Sequence, residues 1–158
     1  MQIMIKQKVL IAFVSLLPLL AAASVGQAGP LSSSETSLVQ TINTVRKSHG
    51  LAPLRVDVRL VRAARGHSAT MMRRQVFVHG SVAARALAQG ARGPIFGETL
   101  AWAQGYTATS VVNQWLASPS HRAVLLRPGF RRVGVGFAFG TFAGHGGAAV
   151  VTANYAGR

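Results

Sequence analysis

The sequence predicts an α+β layered fold in one domain, and three observations carry that reading. Segments with helical apolar spacing come first, beginning near residue 33. Alternating, strand-like runs come late, with Val133, Val135, Phe137 and Phe139 on one face. No repeat or linker interrupts the chain, and 158 residues suit a single domain. Helices first and antiparallel strands late favour helices packed in layers on an antiparallel sheet.

The elements follow in order. Residues 1–28 read as an export signal: Lys6 and Lys8 are a positive start, Val9 to Leu20 an apolar run, and Gly26-Gln27-Ala28 a small-residue cleavage site. The apolar run is shorter than the roughly 20 residues that span a bilayer. Residues 29–158 are then the domain, secreted or periplasmic. Ser32 with Glu35 forms a capping box for a first helix over 33–48, with Leu38, Ile42 and Val45 inward and Gly50 as its stop. Asp57 caps a second helix reaching about residue 74. Its apolar face is Leu60, Ala64, His67 and Met71, and its back carries Arg59, Arg62, Arg65 and Arg73. Shorter helices are predicted over 81–89 and 109–116, the latter with Val111, Val112 and Trp115 inward. Strands are predicted over 95–102, 131–139 and 148–155, with a glycine-rich turn over 142–147.

Composition excludes several functions. No cysteine means no disulfide framework, no thiolate nucleophile and no sulfur-based zinc site. Seventeen basic side chains face only three acids, Glu35, Asp57 and Glu98. That is too few for a multi-carboxylate calcium cage, and a glycosidase pair would need distant residues to converge. A net charge of +14, or +12 once Lys6 and Lys8 leave with the signal, attracts anions. Anionic envelope surfaces are suitable partners; no specific nucleic-acid motif is visible.

Three segments stand out by content. The first runs Asn43…Arg46…Gly50-Leu51-Ala52-Pro53-Leu54 to His79. The second is Gly97-Glu98-Thr99-Leu100-Ala101, and the third is Trp115-Leu116-Ala117-Ser118-Pro119-Ser120-His121-Arg122 followed by Gly134-Val135-Gly136. In this order they resemble the cysteine-free bacterial members of the CAP superfamily, the group of cysteine-rich secretory, antigen 5 and pathogenesis-related proteins. The resemblance implies a three-layer α-β-α sandwich with a central antiparallel sheet. It also implies a cleft holding His79, Glu98 and His121. Thr99 stands where the pattern has asparagine, and Ser118 where eukaryotic members carry a second glutamate. Both are counted with the cleft.

Two imidazoles and a carboxylate suit Zn2+ and leave a position for water or ligand. His79, Glu98 and His121 are therefore the expected metal ligands. Glu98 is the only acid between Val58 and the C-terminus, so it serves either as a ligand or in a buried ion pair. His67 reads as a packed core histidine, with a place in the cleft as the less favoured alternative. Ser118 and Ser120 beside His121 lack a nucleophile elbow. Three functions follow: a ligand-binding module for lipid or a cell-envelope component, a metal-dependent hydrolase, or a polyanion-binding surface protein with a vestigial cleft. The resemblance speaks for fold more than for activity.

Overall fold

A computed structural model describes residues 29–157. The export-signal reading of residues 1–28 lies outside the described residues. The elements are α1 (Ser33–Ser48), β1 (Arg55–Val56), α2 (Val58–Arg74), α3 (Val82–Ala88), β2 (Phe96–Gln104), α4 (Ala108–Ala117), α5 (Pro119–Leu125), β3 (Phe130–Phe142) and β4 (His145–Gly157).

Local chemistry sets the helix ends. The Ser32 hydroxyl accepts from the Glu35 amide at 3.2 Å, and the Glu35 carboxylate accepts from the Ser32 amide at 2.8 Å. Gly50, at φ 71°, closes α1: its amide donates to Lys47 O and the Leu51 amide donates to Arg46 O. Asp57 caps α2 through the Arg59 amide. Pro119 begins α5 directly after α4, with Ser118 between them.

The four-stranded sheet has the order β1-β3-β4-β2. The β3–β4 and β4–β2 pairs are antiparallel, as expected. β1 adds a two-residue parallel pairing, Arg55 with Arg132 and Val56 with Val133, so the sheet is mixed. A pair this short leaves no alternation in the sequence to detect. The expected 142–147 turn contracts to Ala143-Gly144, because β4 already pairs from His145 opposite Phe142. Phe139, placed on the inner face by the alternation, is 62% exposed. It stacks on Phe137, beyond the cover of the helices.

The sheet separates two helical layers. Helices α1, α4 and α5 cover the face bearing Val133, Val135, Ala149, Val151, Ala153 and Tyr155. Trp115 is the largest fully buried side chain there, and its indole N–H donates to Leu100 O at 2.8 Å. Arg46 is also fully buried. Its guanidinium donates to the carbonyls of Ala52, Leu125 and Arg127. The Asn43 amide brackets the Leu54 backbone with two bonds. The Asn43…Arg46 pair thus straps the loop after α1 in place.

Helix α2 covers the opposite face at unusually close range. A methyl group on Gly134 would run into the Leu60 and Val61 backbone, and one on Gly136 into the backbone of Ala64 and Arg65. The Gly-Val-Gly motif is therefore a docking track for α2. Ser68 locks the contact: its hydroxyl donates to Gly136 O at 3.0 Å and pairs with the Thr152 hydroxyl at 2.8 Å.

Gly134→Ala should lower unfolding free energy by about 2–3 kcal/mol, because helix backbone cannot yield as a side chain does. Trp115→Ala should cost about 3–5 kcal/mol. Urea unfolding of each variant measures both; a loss below about 1 kcal/mol at either position would contradict the packing described.

Candidate functional site: a histidine-lined cleft around Glu98

Glu98 lies on β2 opposite Asn154 of β4, with its side chain fully buried. The pleat directs it toward the α2 layer, since Leu100 on the same face packs with Met71 of α2. Its Oε1 accepts from His79 Nδ1 at 2.9 Å and lies 3.9 Å from His67 Nε2. Its Oε2 accepts from Arg85 Nη2 at 2.5 Å. The Asn154 amide, turned with nitrogen toward the carboxylate, donates to Oε2 at 2.9 Å and accepts from the Ala64 amide.

Each partner is placed by its own element. His67 projects from the buried face of α2, and its Nε2 donates to Val78 O at 2.9 Å. His79 sits in the connection between α2 and α3. That connection begins at Gln75, in left-handed geometry, and ends at Gly80, φ 58°. Ser81 caps α3, from which Arg85 reaches back so that Nη1 donates to His79 O at 2.6 Å. His121 lies in the first turn of α5, its ring centroid 6.1 Å from that of His79.

The structure thus brings His79, Glu98 and His121 together at one cleft. It turns one of the other two expected members away from it. Thr99 points to the opposite face of β2, is fully buried, and hydrogen-bonds Tyr155 Oη at 3.1 Å. This follows from strand alternation, since neighbours of Glu98 on β2 must face away from it. Ser118 caps α5 by position alone, and its hydroxyl pairs with Ser120 Oγ at 3.2 Å. Sequence reasoning missed Arg85 and Asn154. The one available signal was Glu98 itself, a lone acid that needed a cation.

Burial pulls the His67 imidazole down to about 4, with the positive charge of Arg85 acting in the same direction. Burial also lowers His121, and His79 adds to it. Burial raises the Glu98 carboxyl above its ordinary range, against the downward pull of Arg85 and His79.

The donor set expected for zinc is already partly engaged within the protein. Among the described residues, no three His, Asp or Glu side chains are grouped to hold a metal ion. One Glu98 oxygen is taken by a guanidinium, and Ser118 supplies no second carboxylate.

The family model of the CAP, or cysteine-rich secretory protein, family matches residues 39–155. The chain belongs to this family. It is 33% identical over 112 residues to the uncharacterized protein YkwD of Bacillus subtilis strain 168, covering 68% of this chain and 43% of that one. Among solved structures, an extracellular protein containing an SCP domain from Bacillus anthracis is 27% identical with a TM-score of 0.65. The match covers 82% of this chain and 45% of that one. The chain therefore spans less than half the length of both Bacillus relatives. An outer surface protein from Borrelia burgdorferi shares the fold at 20% identity, with a TM-score of 0.67 over 83% of this chain and 98% of that one.

The His67 ring should titrate near pH 4 by NMR. The unfolded chain takes up that proton near pH 6.5, so between pH 6.5 and 4 it binds more protons than the folded one. Stability attached to His67 is complete above this window and falls as pH drops through it. At pH 4.5 the loss relative to pH 7 should be about 2–3 kcal/mol larger in the wild type than in His67→Gln. Equal acid losses would mean the ring is solvated.

Proposed function

We propose that the protein is exported and acts outside the cytoplasm as a ligand-binding module for a lipid or lipid-like cell-envelope component. The observation that carries this reading is a cavity of about 240 Å³ lined by His67, Thr70, Met71, Arg74, Val76 and Val78. Its walls are mainly apolar, with Arg74 for an anionic head group. His67 connects it to the cleft, because the same Nε2 that bonds Val78 O faces Glu98. Val76, Phe77 and Val78 beside it are about half exposed, an apolar strip in an otherwise cationic protein.

Location outside the cytoplasm draws support from relatives described as extracellular and outer-surface proteins. No described helix is long and apolar enough to cross a membrane. Polyanion binding draws less support from the arginine back of α2 than the residue count suggests. Arg62 donates to Gln89 O, and Arg65 pairs with Glu35 and Pro30 O. A hydrolase needs an activated water or nucleophile, and Glu98 is committed to Arg85 and Asn154.

The test is titration of the purified protein with a fluorescent long-chain fatty acid and with phosphatidylglycerol vesicles. Saturable binding should persist in high salt, and Val78→Glu should weaken it at least about tenfold by placing a charge on the cavity wall. Binding that vanishes with salt would point to a polyanion surface instead. No saturable binding of either probe would overturn the reading. The intact mass of protein recovered from an exporting host should correspond to a chain beginning at Gly29.

A further inference from the structure

The turn end of the β3–β4 hairpin differs from the rest of this cationic protein. From Val133 to Gly157 the chain has no Asp, Glu, Lys or Arg. The turn, Ala143 to Gly147, is exposed, and His145 is its one titratable side chain. Aromatic rings surround it on both faces of the sheet. On the α2 face, Phe77 is exposed and meets Phe142 edge-on at 6.3 Å, while half-buried Trp102 lies against Phe142 and His145. On the other face, exposed Phe139 stacks on Phe137, which Tyr106 backs at 4.8 Å. Phe77 and Phe139 are the two exposed phenylalanines among the described residues. Side-chain amides hold these parts as one surface. Gln75 Nε2 donates to Thr141 O at 2.8 Å, and its Oε1 accepts from the Ala143 amide at 2.9 Å. Gln104 Nε2 donates to Gly146 O at 2.8 Å. Arg73 and Arg74 are exposed at the end of α2, next to the Val76–Val78 strip. No acid competes for them, because all three carboxylates are buried and paired with other arginines.

We propose that this hairpin end docks on an anionic lipid bilayer, with Phe77 and Phe139 entering the interface and Arg73 and Arg74 against lipid phosphates. Apolar side chains on both faces of one uncharged turn form a wedge, and a fluid interface closes around a wedge from either side. Exposed apolar surface of this kind gains by leaving water. The neighbouring arginines match negative head groups, and their pull is confined to the region near the membrane surface. Held by Gln75 and Gln104, the wedge needs little ordering when it binds. Docking requires no ligand in the cavity beside Arg74, so it stands or falls separately from the reading above.

The experiment is co-sedimentation of the purified protein with vesicles of phosphatidylcholine alone or mixed with phosphatidylglycerol, for the wild type, F139S and R73Q. The wild type should prefer the anionic vesicles. F139S should weaken binding to them by about tenfold with an unchanged melting temperature, because Phe139 lies on the surface. R73Q should weaken it by about fivefold at low salt, and less as salt is added. Binding of free fatty acid should be the same in F139S as in the wild type, since Phe139 is across the sheet from the cavity; this separates docking from cavity binding. The native tryptophans report without any variant. Brominated lipid should quench Trp102, beside the turn, and leave fully buried Trp115 unaffected. The proposal is overturned if F139S binds anionic vesicles as the wild type does, or if brominated lipid quenches no tryptophan. It is also overturned if the wild type forms a dimer in solution that F139S disperses, which would assign this face to a second copy of the chain. Loss of fatty-acid binding with vesicle docking intact would remove the cavity reading alone.

Discussion

The rest of the structure depends on how closely α2 lies against β3. Gly134 and Gly136 let helix backbone touch strand backbone, with no side chain between them. The gain is positional as much as energetic. At this separation Ser68 reaches both Gly136 O and Thr152, and the Ala64 amide reaches Asn154. One turn further along, His67 is brought over Glu98, which belongs to β2 on the far side of β4. A helix lifted by the width of one methyl layer would leave Glu98 without this neighbour and would open the sheet face to water.

Scarcity of carboxylate shapes the electrostatics. All three acids of the chain are buried and paired with arginine, and each pair joins separate elements. Glu35–Arg65 ties the start of α1 to α2, and Asp57–Arg132 ties the start of α2 to β3. Glu98–Arg85 ties β2 to α3. Exposed pairs contribute little to stability, but a carboxylate already removed from water is costly to leave alone. The acids of this protein therefore act as crosslinks, and the remaining arginines leave the surface strongly cationic.

Most of the fold was legible because local signals agreed with packing. The capping box at Ser32, the stop at Gly50 and the inward face of Val111, Val112 and Trp115 all mark elements that form where the pattern puts them. What the sequence hid was geometry between elements. β1 is too short to show a period, and its parallel partner lies 77 residues away at Arg132. Thr99 was grouped with Glu98 because they are neighbours in a motif, yet adjacency in a strand guarantees opposite faces. Arg85 is one of many arginines, and nothing in its own segment distinguishes it; its significance comes from where α3 rests against β2. His67 showed the right helical face, and only the closeness of α2 to the sheet made it a site residue as well as a core one.

The resulting cleft has a definite charge logic. Burial keeps His67 and His121 neutral near pH 7, so neither adds a cation. Arg85 balances Glu98 within the same contact. Such a cleft offers hydrogen-bonding imidazole edges around a carboxylate already engaged by Arg85 and Asn154. The cavity beyond His67 supplies apolar wall, with Arg74 as its cationic contribution. Two neutral rings, one neutralised ion pair and an apolar recess thus meet where α2 lies over β2.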